Sequence, residues 1–244
     1  MSHPDLSLSL HGQRIVIVGG SSGIGLAIAR LAVGAGAEVV IAARSRDGLD
    51  AAARRLDAPP GALRVEPVDA ADEQSVADFF QRVGPFDHLV ASIKPALPTG
   101  RFIENDTSAV QAAFDAKFWG QYRLARHGAP FIRPRGSIVF TSGIAAVRSY
   151  PGLSAVSAMN AATEALARGL AVELAPIRVN VVSPGFVDSE PSNPLRAQHY
   201  RTLAPNLPLD RLGSADEVAA AYLYLFGNAY ASGSVVVVDG GAAC

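Results

Sequence analysis

Residues 14 to 34 change character twice in quick succession. RIVIV, Arg14–Val18, is a short run of mostly β-branched apolar residues, the composition of a strand buried on both faces. Gly19-Gly20-Ser21-Ser22-Gly23-Ile24-Gly25 follows at once, and Ile24 to Gly34 then carries apolar residues at helical spacing. A strand that enters a helix through a side-chain-free bend presents backbone N–H groups at the helix N-terminus, which suits a pyrophosphate. The glycines alone would equally read as a plain tight turn. The strand before them and the helix after them favour dinucleotide binding.

The same alternation continues along the chain. Strands are predicted at Glu38–Ala42, Leu63–Asp69, Asp87–Ser92, Ser137–Ser142, Ile177–Ser183 and Ser234–Gly240. Helices are predicted at Leu49–Leu56, Val76–Val83, Ser108–His127 (ended by Pro130 and Pro134), Ser154–Leu174 and Ser214–Phe226. Ser214 followed three residues later by Glu217 forms a capping box for the last of these. The expected fold is α/β: one doubly wound Rossmann-type domain over residues 1–244, with a seven-stranded parallel sheet and helices on both faces. Asp188 to Arg211, rich in Pro, Ser and Asn, is expected to be a substrate loop or lid beyond the carboxyl ends of the strands.

Bulk properties exclude several classes. A net charge of −1 offers no electrostatic case for nucleic acid or an anionic membrane. No apolar run approaches the roughly 18 residues of a membrane span, and no leader segment is expected. The single cysteine, Cys244, permits no internal disulfide, which fits a cytoplasmic location. No His, Cys or carboxylate cluster has metal-ligand spacing, so no metal is expected.

The end of the second strand bears on cofactor choice. Ala43-Arg44-Ser45-Arg46 holds no carboxylate to bond a ribose 2′-hydroxyl, and Arg44 offers a bidentate partner for a 2′-phosphate. NADP(H) is therefore favoured, with NAD(H) still open.

From Gly12 to Gly241 the chain resembles the short-chain dehydrogenase/reductase family. The resemblance rests on Gly19, Gly23 and Gly25 in G-x-x-x-G-x-G spacing, on RVNVVSPG (Arg178–Gly185) and on VVDGG (Val237–Gly241). It implies a cofactor site built from Gly19, Ser21, Ser22, Gly23 and Ile24 at the pyrophosphate and Arg44 and Ser45 at the adenosine phosphate. It places Asp69 and Ala70 at the adenine, Ala91 and Ser92 at the nicotinamide ribose, and Pro184, Gly185 and Val187 beside the nicotinamide amide. Ser189 falls near the pyrophosphate. It also implies a homodimer or homotetramer, and the alanine-rich Ser154–Leu174 helix offers small residues for close packing. Where the family carries Asn-Asn-Ala-Gly, this chain has Ala91-Ser92-Ile93-Lys94.

The family's Ser, Tyr and Lys fall on Gly143, Val156 and Asn160. Reduction of a carbonyl by hydride needs a proton for the developing alkoxide, and valine cannot give one. The Asn that anchors the family's water relay falls on Lys117, so the Lys and Asn residue types are exchanged. Lys117, Ser142 and Asn160 are the candidate catalytic residues, Ser142 because it lies one residue before the vacated Ser position. A solvated helix lysine is the simpler reading of Lys117 taken alone. Only two of the 21 basic residues are lysines, and both Lys94 and Lys117 are expected to line the cleft. Tyr150, His199 and Tyr200 are weaker candidates, and His88 is expected to be structural.

The expected function is an NADP(H)-dependent oxidoreductase acting on a small-molecule carbonyl, alcohol or related substrate. Two alternatives stand beside it. One is a non-redox lyase, cyclase or isomerase on the same scaffold, and the other is a cofactor-binding protein without catalysis.

Overall fold

A computed structural model describes residues 9–94, 96, 98–189 and 204–244. Seven strands form one sheet: β1 (Arg14–Val18), β2 (Glu38–Ala43), β3 (Leu63–Pro67), β4 (Phe86–Ala91), β5 (Ile132–Thr141), β6 (Arg178–Pro184) and β9 (Val235–Val238). Their order is β3-β2-β1-β4-β5-β6-β9, and every pairing is parallel. The order reverses between β1 and β4, where Val18 pairs with Ala91, and this is the switch point where ligands bind in such sheets. A second, two-stranded sheet joins β7 (Val187–Asp188) to β8 (Gly213–Ser214).

Side-chain alternation along the strands builds two cores. Ile15, Ile17, Val90, Val139 and Val182 pack with α1 (Gly23–Gly34), α2 (Arg46–Leu56) and α7 (Ala215–Gly227). Val16, Leu89, Phe140 and Val181 pack on the other face with α3 (Glu73–Val83), α5 (Gly120–Gly128) and α6 (Ser154–Glu173). Such strands are apolar on both faces, which is why they read as uninterrupted runs in the sequence.

Several boundaries differ from those predicted. α2 and α3 each start three residues earlier, because Ser45 Oγ accepts from Gly48 N–H and the Asp72 carboxylate accepts from Gln74 and Ser75 N–H. β5 begins at Ile132 and takes in Pro134, which lies where the register shifts between Phe86 and His88, so Pro134 sits inside a strand at an irregularity. Pro130 does follow the helical segment, inside a 3₁₀ turn at Ala129–Phe131. The predicted single helix from Ser108 is three pieces: α4 (Thr107–Phe114), a π-helical turn at Asp115–Trp119, and α5. The capping box at Ser214 and Glu217 forms as expected.

Candidate active site

The turn after β1 is shaped by close backbone approach. Gly19 has φ +90°, and a β-carbon there would collide with the Ser92 carbonyl. A β-carbon on Gly25 would meet the Gly19 carbonyl in the same way. Gly23, at φ +54°, opens α1. Ser22 occupies the N-cap but its side chain makes no capping bond, and the first turn holds no acidic residue. Among the described residues the N–H groups of that turn have no side-chain cap, as suits an external anion such as a pyrophosphate.

The other expected cofactor residues gather along the carboxyl ends of the strands. Arg44 is exposed at the end of β2, and among the described residues it makes no ion pair. Asp69 lies after β3, one carboxylate oxygen accepting from Ala71 N–H at 3.0 Å. Ala91 ends β4, its carbonyl accepting from Thr141 Oγ1 at 2.9 Å, and Ser92 N–H continues the ladder to Val18 O at 2.8 Å. Pro184 ends β6, Gly185 N–H bonds Val238 O at 2.9 Å, and Val187 begins β7. Ser189 lies against Gly23, 3.5 Å from where a β-carbon would stand. Ile93, the larger residue in the family's Asn-Asn-Ala-Gly segment, is accommodated by Gly120, whose β-carbon would be 3.2 Å from Ile93 Cδ1.

The residues present therefore fit a dinucleotide: two glycines that no side chain can replace, an uncapped helix N-terminus, and a strand end offering a guanidinium.

The other half of the cleft is built around Lys117. The π-helical turn, a feature often found at functional sites, places Lys117 between α4 and α5. Its side chain is buried, with 7% exposure. Nζ donates to Asn160 Oδ1 at 2.5 Å and to the Ser142 carbonyl at 3.2 Å. Asn160 Nδ2 donates in turn to the Gly143 carbonyl at 3.2 Å. Lys117 thus points inward rather than into solvent, and the two exchanged positions touch. Lys94, by contrast, is exposed beyond β4.

Ser142 lies in the cleft, but its hydroxyl donates to Glu164 Oε1 at 2.8 Å. That hydrogen is committed to a carboxylate, so Ser142 is a weaker substitute for the family's Ser than its position suggests. Val156 is buried with Ala113, Ala145 and Met159, giving an apolar wall to the cleft. Tyr150 holds the neighbouring loop: its hydroxyl donates to Ala242 O at 2.9 Å and its ring meets Phe186 edge-on at 5.5 Å. Burial raises its pKa above the ordinary phenol value, partly offset by Arg148. It acts here as packing. His199 and Tyr200 lie outside the described residues, as does much of the expected loop. Among the described residues no cluster suited to a metal ion is found.

Sequence reasoning missed Glu164. It sits on an alanine-rich helix that read as a packing surface. Its spacing of four from Asn160, on one helix face, was the available signal.

Comparison with known proteins places the chain in a family. Residues 18–243 match the sequence profile of a family described as enoyl-(acyl carrier protein) reductase. A cis-4-hydroxycyclohexanecarboxylate dehydrogenase of Sinomonas cyclohexanicum is 36% identical, over 93% of this chain and 94% of its own length. A gluconate 5-dehydrogenase of Gluconobacter oxydans is 31% identical over 99% and 98%. A solved short-chain dehydrogenase/reductase family protein superposes with a TM-score of 0.87 at 34% identity, covering 96% of this chain and 99% of that one. A small-chain dehydrogenase solved in complex with NADPH gives 0.80 at 33%, covering 95% and 98%. The chain belongs to the short-chain dehydrogenase/reductase family, a family of oxidoreductases. Among the described residues no helix is long and apolar enough to cross a membrane.

Proposed function

We propose that this chain is an NADP(H)-dependent oxidoreductase of a small organic carbonyl or alcohol, with Lys117 in place of the family's usual proton-handling pair. The observation that carries the reading is the buried Lys117 amine bonded to Asn160. A purely structural role at that position would be filled at lower cost by an uncharged residue, since burying an ammonium is unfavourable.

The cofactor supplies or accepts a hydride when bound. Gly19, Ser21, Ser22, Gly23 and Ile24, with Ser189, would hold its pyrophosphate. Arg44 and Ser45 would take the 2′-phosphate, Asp69 and Ala70 the adenine, and Ala91 and Ser92 the nicotinamide ribose. Pro184, Gly185 and Val187 would hold the carboxamide. NADP(H) is preferred because, among the described residues, Arg44 makes no ion pair and no carboxylate opposes a phosphate there; a relative solved with NADPH supports the choice.

The chain's own groups then divide the remaining work. Asn160 fixes the direction of the Lys117 amine, and the Ser142 carbonyl takes a second hydrogen. The ammonium provides positive charge, and a proton, for an oxygen developing negative charge. Val156, Ala145 and Met159 exclude water from that side. The chain is proposed to work as a homodimer or homotetramer through the small-residue surface of α6.

The test is direct titration of purified protein with NADPH and NADH, followed by a panel of ketones, aldehydes and secondary alcohols with cofactor absorbance as readout. Micromolar NADPH affinity with turnover of at least one panel member is expected. Absence of affinity for both dinucleotides removes the reading. Tight affinity with no turnover across the panel removes its catalytic half.

A further inference from the structure

Glu164 is buried, with 6% exposure, and lies one helical turn beyond Asn160 on the same face of α6. Its Oε1 accepts the Ser142 hydroxyl hydrogen at 2.8 Å. The same Ser142 accepts from the Lys117 amine through its backbone carbonyl at 3.2 Å. A carboxyl group and an amine, both withdrawn from water, are therefore attached to opposite ends of one residue. One strand over, Ser183 stands one register step beyond the Thr141–Val182 pair. It falls on the strand face that Val179 and Val181 turn toward α6, and its hydroxyl is buried with no hydrogen-bond partner among the described residues.

We infer that Glu164 is a positioning residue for Lys117: its carboxylate, held by Ser142, supplies the countercharge that keeps the buried amine protonated. A buried ammonium alone is costly and sheds its proton readily; a carboxylate bridged to it by one residue offsets that cost. The consequence is chemical. Lys117 enters catalysis as an ammonium, able to stabilise an oxyanion and donate a proton, and not as a neutral amine poised to form a Schiff base. This deepens the role given to Lys117 in the proposed function and rests on that reading for its catalytic meaning, though not for the coupling itself.

Among the described residues, the other charged groups on these elements pair elsewhere or are exposed. On the π-helical turn, Asp115 pairs with Arg123 of α5 at 2.7 Å. Glu73 of α3 takes Arg126 and His127 of α5. Arg168 and Glu173 are exposed on the outer side of α6. Arg133 of β5 pairs with Asp87 at 2.7 Å, Arg135 is exposed, and Arg178 of β6 caps the far end of α7 through the Leu225 and Phe226 carbonyls. Residues Ile144–Ala146, which pack on α6, carry no ionisable side chain.

The two-lysine sequence makes the test clean. Full-length protein labelled with ¹³Cε-lysine shows one signal each for Lys94 and Lys117, assigned with Lys94→Arg. Glu164→Gln keeps the acceptor for Ser142 and removes the charge. It is expected to lower the Lys117 titration midpoint by about one pH unit, the size of a unit-charge interaction across one residue at an intermediate dielectric. Lys94 should not move, and Glu164→Asp should retain the wild-type midpoint. Should Glu164→Gln fold poorly, Ser142→Ala cuts the bridge while leaving the carbonyl, and the Lys117 signal should shift in the same direction. An equal neutral fraction of Lys117 at pH 10 in wild type and the charge-free variant overturns the inference. The titration uses neither cofactor nor substrate, so its failure and the failure of the oxidoreductase reading are separate results.

Discussion

A β-carbon on Gly143 would stand 2.9 Å from Asn160 Nδ2. The two residues are therefore fitted to one another: Asn160, held by Lys117 on one side and by the Gly143 carbonyl on the other, occupies space that a side chain at 143 would need.

Gly143→Ala tests that packing with the smallest possible change. Gly143 has an extended backbone, so alanine meets no torsional penalty, and only the contact with Asn160 opposes it. The expected loss is about 1–2 kcal/mol in denaturant unfolding, as for other overpacked sites. In the background Asn160→Ser the cost of Gly143→Ala should shrink by more than half, a coupling measured by a double-mutant cycle. Strict additivity would show that the two positions are independent.

Lys117→Met retains the aliphatic volume and removes the ammonium. It leaves Asn160 Oδ1 and the Ser142 carbonyl without their donor, at a cost of about 1–3 kcal/mol of stability. Turnover should fall by at least about 10²-fold, the scale of a lost proton donor, while NADPH affinity changes far less. A variant with wild-type kcat would show that the amine takes no part in the chemistry.

Much of this arrangement was readable in the sequence, and the unread parts have physical causes. The seven strands were visible because residues such as Val16, Ile41, Val139 and Val181 are buried on both faces and leave no polar alternation. Helix starts were misplaced where a cap, Ser45 or Asp72, lay outside the apolar period. The π-helical turn carries no periodic signature that five residues can show, yet it aims Lys117. Asn160 and Lys117 were linked only through the family resemblance. Nothing in composition places a helix residue against the residue 43 positions away. Glu164 was passed over because its spacing from Asn160 shows a shared helix face, while burial of a lone carboxylate depends on the partner that Ser142 supplies. The short β7–β8 pair was missed because two-residue strands have no pattern at all.

Arg44 gives a prediction about cofactor choice. Its guanidinium stands at the end of β2 with no carboxylate competing for it among the described residues. Arg44→Ala should weaken NADPH binding by about 10- to 100-fold, the value of one charge-assisted pair, and leave NADH affinity within about twofold. The measurement is the ratio of the two dissociation constants. An equal loss for both cofactors would place Arg44 in general folding of the loop and not at a phosphate.

His88 makes stability depend on pH at the opposite end of the sheet. It is 4% exposed, stacks on Phe226 at 4.7 Å, and its ring nitrogens lie 2.8 Å from Ser137 Oγ and from Gln13 Oε1. The Gln13 oxygen accepts from Nε2–H, so Nδ1 accepts from the Ser137 hydroxyl, which is the neutral ring. Burial, aided by the Arg178 charge and opposed by Asp87, lowers the pKa from 6.5 to about 4. The unfolded chain therefore binds a proton that the folded chain refuses between those two values. Stability is unaffected by His88 above pH 7 and declines as the pH falls from about 6.5 toward 4, by about 3 kcal/mol in total. Carboxylates held low by their partners, such as Glu66 beside Arg64 and Arg82, add a further loss only at lower pH. His88→Gln keeps a donor and an acceptor at the site without the titration. Urea midpoints for wild type should drop steeply from pH 6.5 to 5, and those for the variant should stay nearly level over the same interval. Parallel curves would mean that the ring is protonated in the folded state, contrary to the hydrogen-bond pattern around it.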